Sequence, residues 1–307
     1  MFYHLILPLK EYFSYLRIFQ YITFRSAYAA LTALVLVLIF GNLLIRRLRR
    51  LRFQEEIREL GPESHRGKAG TPTMGGLIIL GAVLVSMLLW GNFSNHYVTL
   101  LMAATVLLGI LGFMDDYIKS IKKNKNGVPA RMKLAIQVAV AFMVVMVIYL
   151  SPSEPKHLTQ LFIPFFNEPV ADMGTIWIVF AMVVIIGSSN AVNLADGLDG
   201  LAVGSVISVG VSLGIMAYLT GHAKIAAYLR IPFIPHSAEL TVFLSALVGA
   251  SLGFLWFNSN PASVFMGDTG SLALGGIVGV VAVMIKKEVF LFIVGGVFVI
   301  ETLSVII

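Results

Sequence analysis

Long apolar segments separated by short polar loops restrict the fold of this chain more than any other feature. A helix that crosses the hydrocarbon core of a bilayer needs about 20 mostly apolar residues. Nine segments approach this length, near residues 23–45, 73–91, 97–114, 134–150, 174–190, 200–219, 239–257, 271–285 and 289–307. The hydrophobic share of the chain is 58%, against roughly 45–50% in ordinary soluble domains. The sequence therefore predicts an all-α, polytopic membrane protein with about nine transmembrane helices.

The distribution of positive charge predicts how these helices are oriented. If the helices alternate in direction, four loops share one face: 46–72, 115–133, 191–199 and 258–270. These four loops hold 14 of the 22 lysine and arginine residues. Cytoplasmic loops carry such an excess, so the amino terminus is expected on the periplasmic side. Five of the six aspartates fall in the same loops, although positive charge alone assigned them. We therefore expect the active site on the cytoplasmic face.

Charge and cysteine content exclude several classes of function. The formal net charge is +6, but most basic residues flank apolar segments, so contact with anionic lipid head groups explains them better than nucleic-acid binding. The chain has no cysteine, which excludes disulfides, thiolate metal sites and a cysteine nucleophile. The first 22 residues lack the compact pattern of a signal peptide. Membrane lipids are expected partners, and nucleic acid is not.

Two carboxylates stand between apolar segments in the string Asn193-Leu-Ala-Asp196-Gly-Leu-Asp199-Gly200. Ionisable groups are costly in hydrocarbon and often mark functional sites in membrane proteins. The glycines permit a sharp turn and a close approach to a bound group. Asn, Asp and Gly are also ordinary turn-forming residues, so this string alone leaves both interpretations open.

A second acidic pattern, Asp115-Asp116-Tyr117-Ile118-Lys119, ends the third apolar segment. Adjacent residues on a helix point about 100° apart, so one carboxylate can hold a cation while the other accepts a proton. Lys119, one turn further along, can neutralise a carboxylate or contact a phosphate. The alternative is an acidic helix end with a basic partner. The following loop, which includes Lys133, is strongly basic and suits anionic lipid or an anionic substrate.

Two other predicted cytoplasmic loops carry candidate ligands. Residues 61–76 contain two prolines and five glycines, so the segment cannot form a regular helix. It could surround a phosphate, with Lys68 and Thr73 as donors, or serve as a plain connector. In the last loop, the Phe265 ring could stack on a nucleobase while Asp268 binds a metal. The alternative is an interfacial aromatic residue followed by a helix cap.

Taken together, Asp115, Asp116, Asp196, Asp199 and Asp268 are predicted to meet at one face. Carboxylates at that density repel one another unless a cation is present, and oxygen ligands with open positions suit Mg²⁺. Phosphoryl transfer needs charge neutralisation and in-line positioning. A site that joins a nucleotide-linked donor to a lipid phosphate is the leading interpretation. A secondary transporter is the alternative, and it predicts acidic residues near the bilayer midplane.

Four strings of residues resemble a known family. They are Pro62-Glu-Ser-His-Arg-Gly-Lys68-Ala-Gly-Thr-Pro-Thr73-Met-Gly-Gly76, Asp115-Asp116-Tyr117, Asn190-Ala-Val-Asn193-Leu-Ala-Asp196-Gly-Leu-Asp199-Gly-Leu, and Phe265-Met-Gly-Asp268. The chain is similar, over most of its length, to the phospho-N-acetylmuramoyl-pentapeptide transferases (translocase I). This family is part of the superfamily of polyprenyl-phosphate N-acetylhexosamine-1-phosphate transferases.

The resemblance implies a reaction and a set of site residues. The reaction is transfer of phospho-MurNAc-pentapeptide from UDP-MurNAc-pentapeptide to undecaprenyl phosphate in the bacterial cytoplasmic (inner) membrane. The products are UMP and lipid I, in the first membrane step of peptidoglycan synthesis. The resemblance also implies Mg²⁺ on Asp268 and catalytic roles for Asp115, Asp116 and Asp268. The implied substrate-binding positions are Lys68, Thr73, Lys119, Lys133, Asn193, Asp196, Asp199, Asn258, Phe265 and Gly267, with Phe265 near the uracil.

The resemblance also implies ten membrane helices and a homodimer. Family members carry a triple-histidine loop after the ninth helix, whereas this sequence ends at Ile307 inside the ninth predicted segment. Residues 1–307 are therefore expected to form one integral membrane transferase domain that stops before the final cytoplasmic loop and last helix. The sequence leaves two questions open. One is whether the mechanism is direct attack or a two-step route through an aspartyl intermediate. The other is whether the donor is the muramoyl nucleotide or UDP-N-acetylglucosamine.

Overall fold

The computed structural model describes residues 2–6, 8, 11–51, 71–122, 124, 127–151, 155–166 and 168–306. Lys68 and most of the segment predicted to surround a phosphate lie outside the described residues, so its role stays a prediction. Within the described ranges the chain is mostly helical, and the one β-sheet is a pair of two-residue antiparallel strands. The all-α prediction is confirmed.

The helices are numbered here in chain order. They are α1 (Phe2–Ile6), α2 (Ile22–Arg50), α3 (Gly76–Trp90), α4 (His96–Ser120), α5 (Ala130–Leu150), α6 (Ile176–Ala195), α7 (Leu201–Thr220), α8 (Ala223–Leu229), α9 (Leu240–Asn258), α10 (Gly267–Met284), α11 (Glu288–Val294) and α12 (Gly296–Ile306). Short 3-10 helices cover Ser14–Gln20, Pro155–His157 and Ser237–Glu239. Strands β1 (Gln160–Leu161) and β2 (Ala171–Asp172) pair antiparallel.

Seven helices in the described part of the chain are long and apolar enough to cross a bilayer, which makes this a multi-pass membrane protein. The other two predicted segments form shorter or broken helices. Helix α3 has 15 residues and so spans about 22 Å, less than the ~30 Å hydrocarbon core. Helices α11 and α12 are bent by 78° at Gly295. Nine apolar segments are therefore present, but two do not form a full straight helix.

Several helix ends differ from the predicted boundaries, and three of them bear most directly on function. Helix α4 continues past the predicted end at residue 114 to Ser120, α6 continues past residue 190 to Ala195, and α10 begins at Gly267 instead of residue 271. The apolar segments are shorter than these helices because the helix ends carry polar side chains, which face one another inside the protein. The candidate residues therefore stand on helices more often than on loops.

Helix α10 is the most buried of the seven spans, with 89% of its apolar window inside the protein. It packs against α4 and α6, and a polar network ties α5, α6 and α10 together. The Ser189 hydroxyl donates to the Leu272 carbonyl oxygen (2.8 Å), and Gln137 Nε2 donates to Ser189 Oγ (3.1 Å). Buried hydrogen bonds between helices fix their relative positions in a membrane.

The opposite end of the helix bundle, predicted to be periplasmic, is held by buried ion pairs. Arg25 of α2 donates to both carboxylate oxygens of Glu239 (2.8 and 2.6 Å) and to the carbonyl oxygen of Trp90 (3.2 Å). Lys286 donates to Glu288, and its ammonium group lies 4.4 Å from the centre of the Trp177 ring. These contacts connect α2, the end of α3 and the 3-10 helix before α9 in one place, and α6, the segment after α10 and the start of α11 in another.

The two loops predicted to lie at the periplasmic interface differ from each other. In the described part of residues 155–173, strands β1 and β2 pair antiparallel, and Phe165, which lies between them in sequence, is 99% exposed. The loop from 221 to 238 instead contains helix α8 and the start of a 3-10 helix. Its alanine-rich stretch favours a helix over a hairpin.

Candidate active site

Three carboxylates from two helices meet at the end of the bundle that is predicted to be cytoplasmic. Asp115 and Asp116 stand in the last turns of α4, and Asp268 stands in the first turn of α10. One oxygen atom from each lies within 4.8 Å of the others, and Asp115 and Asp116 are buried. Carboxylate oxygens grouped at this spacing are suited to a hard divalent cation. The structure therefore brings together these residues from positions more than 150 apart in sequence.

Two lysines lie between these carboxylates. Lys119 Nζ is 2.5 Å from Asp115 Oδ2 and 3.2 Å from Asp268 Oδ2. Lys133 Nζ, from α5, is 2.6 Å from Asp268 Oδ2 and 3.2 Å from Asp115 Oδ1. The ammonium groups neutralise part of the carboxylate charge, because opposite charges at these distances attract strongly away from bulk water. Both predicted lysines thus belong to the carboxylate cluster.

Asp116 has a different set of partners from Asp115. Its Oδ1 accepts a hydrogen bond from the backbone N–H of Asp268 (3.1 Å). Its Oδ2 accepts from the backbone N–H of Thr269 (2.8 Å) and from the Thr269 hydroxyl (2.6 Å). The first N–H groups of a helix have no partner within the helix, so Asp116 supplies partners for the start of α10. The sequence-based alternative, in which Asp268 caps this helix, is wrong because Asp268 lies inside its first turn.

Asn193 fixes the other side of the Asp268 carboxylate. The Asn193 amide donates to Asp268 Oδ1 (2.8 Å) and to the Ser271 hydroxyl (2.7 Å). It can do so because α6 remains helical through Ala195 and packs against α10. Asp268 is therefore oriented by a side-chain amide from α6 and two ammonium groups, while its backbone N–H is held by α4.

The segment before α3 runs beside the segment before α10. The backbone N–H of Phe265 donates to the Pro72 carbonyl oxygen, and the N–H of Gly75 donates to the Phe265 carbonyl oxygen, each at 2.8 Å. Gly267 has φ +72°, a conformation that glycine adopts without steric cost. A Cβ atom at this position would lie 2.7 Å from Asp116 Oδ2 and 2.8 Å from Thr73 Oγ1. Thr73, Phe265 and Gly267 are therefore neighbours at the edge of the carboxylate cluster.

Asp199 and Asn258 lie in a second group, which joins two loops. The buried Asn258 side chain accepts from the Gly200 N–H (3.1 Å) and donates to the Val264 carbonyl oxygen (2.9 Å). Asp199 accepts from the Ala262 N–H (3.3 Å). Asp196 follows α6 as its carboxyl-terminal cap residue. Among the described residues, Asp196 and Asp199 are not members of the close carboxylate group, so the predicted five-aspartate cluster reduces to Asp115, Asp116 and Asp268.

Two residues of the cluster escaped the sequence analysis: Thr269 and Ser271. Thr269 donates to Asp116 across 153 positions of sequence, and Ser271 accepts from Asn193 across 78. Hydroxyl residues are common in membrane helices, where they often bond to their own backbone, so neither stood out. The available signal was their place within three residues after Asp268, near the start of the helix.

Comparisons with known proteins agree with this arrangement. A model of the family described as glycosyl transferase family 4 matches residues 98–286, and the phospho-N-acetylmuramoyl-pentapeptide-transferase signature 1 matches residues 68–80. The matched ranges include all three carboxylates, both lysines and the 265–268 string.

Curated relatives are similar over the whole chain. The proteins named phospho-N-acetylmuramoyl-pentapeptide-transferase from Syntrophus aciditrophicus and Desulfosudis oleivorans are each 48% identical over 306 residues. The protein of the same name from Thermodesulfovibrio yellowstonii is 47% identical over 306 residues. Each comparison covers 100% of this chain and 84% of the relative. The chain therefore belongs to glycosyl transferase family 4 and, within it, to the phospho-N-acetylmuramoyl-pentapeptide-transferase family.

Proposed function

We propose that this protein transfers phospho-MurNAc-pentapeptide from UDP-MurNAc-pentapeptide to undecaprenyl phosphate, with UMP and lipid I as products. Membership of the family supports the donor and the reaction. The observation that carries the chemistry is the meeting of Asp115, Asp116 and Asp268 with two lysines at one end of a membrane helix bundle. Such a site lies where a soluble nucleotide and a lipid phosphate can both reach it.

The residues of the cluster fit a divalent cation, and we propose Mg²⁺ with Asp268 as its principal ligand. The fit rests on the donor set, because grouped carboxylates provide the hard oxygen ligands that Mg²⁺ prefers. It also rests on the two ammonium groups, which show that the carboxylates already attract positive charge to this position. When bound, Mg²⁺ neutralises charge on a diphosphate and stabilises a leaving phosphate oxygen.

In the proposed mechanism a carboxylate of the Asp115/Asp116 pair removes the remaining proton from undecaprenyl phosphate. The freed oxygen attacks the β-phosphorus of the donor, the bond to the α-phosphate breaks, and UMP leaves with that bridging oxygen. The protein's part is to hold the two phosphates in line and to counter their charge. A two-step route, with phospho-MurNAc-pentapeptide first on a carboxylate, remains the mechanistic alternative.

Lys119 and Lys133 are proposed to bind the donor diphosphate. Lys119 is about two-fifths exposed and reaches the cluster on a flexible side chain, so it can turn from the carboxylates towards an entering phosphate. Thr73, Asn193, Asp196, Asp199, Asn258, Phe265 and Gly267 are proposed to surround the nucleoside and sugar, with Phe265 beside the uracil. The proximity of Thr73, Phe265 and Gly267 supports a shared pocket. Lys68 is proposed as a further phosphate donor.

The place of the reaction follows from the donor and acceptor. A cytosolic nucleotide and a polyprenyl phosphate meet at the inner face of the bacterial cytoplasmic membrane, which is where the charge distribution predicts this end of the helices. We propose a homodimer as the assembled form, and residues 1–307 as parts of one transferase domain.

Donor choice tests the proposal. The protein in nanodiscs is supplied with undecaprenyl phosphate, Mg²⁺ and either UDP-MurNAc-pentapeptide or UDP-N-acetylglucosamine, and UMP is measured. The expected result is UMP from the muramoyl donor alone and only with the lipid phosphate present. Release from UDP-N-acetylglucosamine alone would replace the proposed substrate with that of a related transferase. A covalent phosphosugar on Asp115 or Asp116, trapped in the same reaction, would reject direct attack.

A further inference from the structure

The neighbouring carboxylates Asp115 and Asp116 have different kinds of partner. Asp115 pairs with the ammonium groups of Lys119 and Lys133 and accepts a hydrogen bond from the Val128 N–H (2.9 Å). Lysine side chains are flexible, so an entering cation or phosphate can displace them. The partners of Asp116 are two backbone N–H groups and a buried hydroxyl, all in the first turn of α10. Those groups cannot move away without moving the helix.

The start of α10 is also seated on α4 by close backbone contact. A Cβ atom at Gly112, one turn before Asp116, would overlap the backbone of Asp268 and Thr269. Gly267 similarly leaves no room for a Cβ atom beside Asp116. Two glycines thus let the helix start approach α4, and the Asp116 carboxylate then bonds to it. A carboxylate is also attracted to the partial positive charge at a helix amino terminus.

We propose that Asp116 and Thr269 form a positioning cap that locks the first turn of α10 onto α4 and thereby aims the Asp268 carboxylate at Asp115. In this arrangement Asp116 does not contact the reacting atoms, and Asp115 is the member of the pair that faces the substrates. The inference deepens the proposed function by dividing the roles of the acidic pair, and it assigns a positioning role to Thr269.

The geometry supports this division of roles. A carboxylate accepts hydrogen bonds at about four lone-pair positions, and Asp116 uses three of them on α10. Asp268 lies between the two anchoring contacts: its N–H binds Asp116, and its carboxylate receives the Asn193 amide and Lys133. Loss of the cap is therefore expected to rotate or loosen a carboxylate that holds the cation.

The test replaces the Thr269 hydroxyl without changing the size of the side chain. Thr269→Val removes the hydrogen bond to Asp116, and Thr269→Ser keeps it. The matched control is Thr105→Val, since Thr105 is also fully buried and its hydroxyl bonds to the Leu101 carbonyl oxygen within α4. If Thr269→Val does not yield folded protein, Thr269→Ala replaces it in every measurement.

Two readouts are independent of turnover. The first is the Mn²⁺ binding midpoint, measured by electron paramagnetic resonance without donor or lipid phosphate. We expect Thr269→Val to raise it by about tenfold or more, as for other residues that orient a metal ligand, while Thr269→Ser and Thr105→Val stay near the wild type. The second is amide hydrogen exchange at positions 267–270, which we expect to accelerate in Thr269→Val alone.

Either of two results would overturn the cap. One is wild-type Mn²⁺ binding and wild-type exchange in Thr269→Val. The other is a Thr269→Ser variant whose Mn²⁺ binding is as weak as that of Thr269→Val, because Thr269→Ser keeps the hydroxyl. This outcome is separable from the proposed function. If the protein does not release UMP from the muramoyl donor, but its Mn²⁺ midpoint depends on the Thr269 hydroxyl, the proposed function is refuted and the cap is retained.

Discussion

Lys133 places its ammonium nitrogen 2.6 Å from Oδ2 of Asp268, the carboxylate proposed to hold the metal. On the proposed function, the lysine and a divalent cation compete for this carboxylate until a bound donor diphosphate draws the lysine away. This relationship gives Lys133 opposite effects on metal binding and on donor binding.

We predict that Lys133→Met tightens metal binding and weakens donor binding. Removing a positive charge beside the cation should lower the Mn²⁺ dissociation constant by about tenfold, which corresponds to ~1.4 kcal/mol of binding free energy. This effect is smaller than the full interaction of two charges a few ångströms apart near a protein surface. The KM for the donor should rise by a similar factor. Titrations of both ligands check this, with Arg131→Met, an exposed basic residue two positions away, as the control. Weaker binding of both Mn²⁺ and the donor in Lys133→Met would contradict competition between the lysine and the metal ion.

Gly267→Ala should abolish most UMP release without unfolding the protein. Alanine at φ +72° is strained, by about 1–2 kcal/mol, and its Cβ would press on Asp116 and Thr73. The Asp268 carboxylate would shift as a result. The control is Gly204→Ala, because a Cβ at Gly204 meets no atom within 4 Å. Equal UMP release by both variants would show that the close approach at Gly267 is unnecessary.

The ion pair at the opposite end of the bundle should matter for stability and not for chemistry. Arg25 is 1% exposed and bonds to Glu239 through two nitrogen atoms. Arg25→Met leaves a carboxylate without its partner, which is expected to cost about 3–5 kcal/mol of the free energy of unfolding. Thermal unfolding in detergent measures the loss, and the Arg25→Met/Glu239→Leu double variant should recover part of it. An unchanged melting temperature in Arg25→Met would show that the pair contributes little.

Lys287, between α10 and α11 at the end of the bundle opposite the carboxylate cluster, should make stability depend on pH. Burial lowers the pKa of its ammonium group to about 8, from an ordinary value of 10.5. The unfolded chain then binds a proton that the folded protein lacks between pH 8 and 10.5, so stability rises with pH in that window, by up to about 1.4 kcal/mol per unit. Below pH 8 both states are protonated and the slope vanishes. The difference in melting temperature between wild type and Lys287→Met, measured from pH 7 to 10, should show this rise; a flat difference would contradict it.

The sequence predicted the fold class, the helices and the principal acidic residues because these depend on local pattern. Apolar segments of about 20 residues locate helices, and the turn of a helix correctly predicted that Asp115 and Asp116 serve different partners. Which partners they serve depends on contacts between distant parts of the chain. The hydrogen bonds that Thr269 donates to Asp116 and Asn193 donates to Asp268 join residues 153 and 75 positions apart, and no local pattern encodes such pairs.

The same reasoning explains the errors. Apolar length predicted one membrane segment over 289–307, but the structure breaks at Gly295 into α11 and α12, and an apolar pattern does not show where a helix bends. Five aspartates on one predicted face indicated one cluster, yet Asp199 bonds to the Ala262 N–H in a neighbouring loop contact. The sequence predicted that these residues share one end of the bundle, and only three-dimensional packing divided them into two groups.

Asp268→Asn tests the central claim most directly, because it removes the negative charge of the proposed metal ligand while keeping the shape of the side chain. UMP release from UDP-MurNAc-pentapeptide is measured with undecaprenyl phosphate over a Mg²⁺ titration, with the exposed Asp172→Asn as the control. We predict loss of about 100-fold or more at every Mg²⁺ concentration, the order expected when charge stabilisation at a reacting phosphate is removed, and wild-type release in Asp172→Asn. Substantial UMP release by Asp268→Asn would contradict a metal-assisted transfer at this cluster.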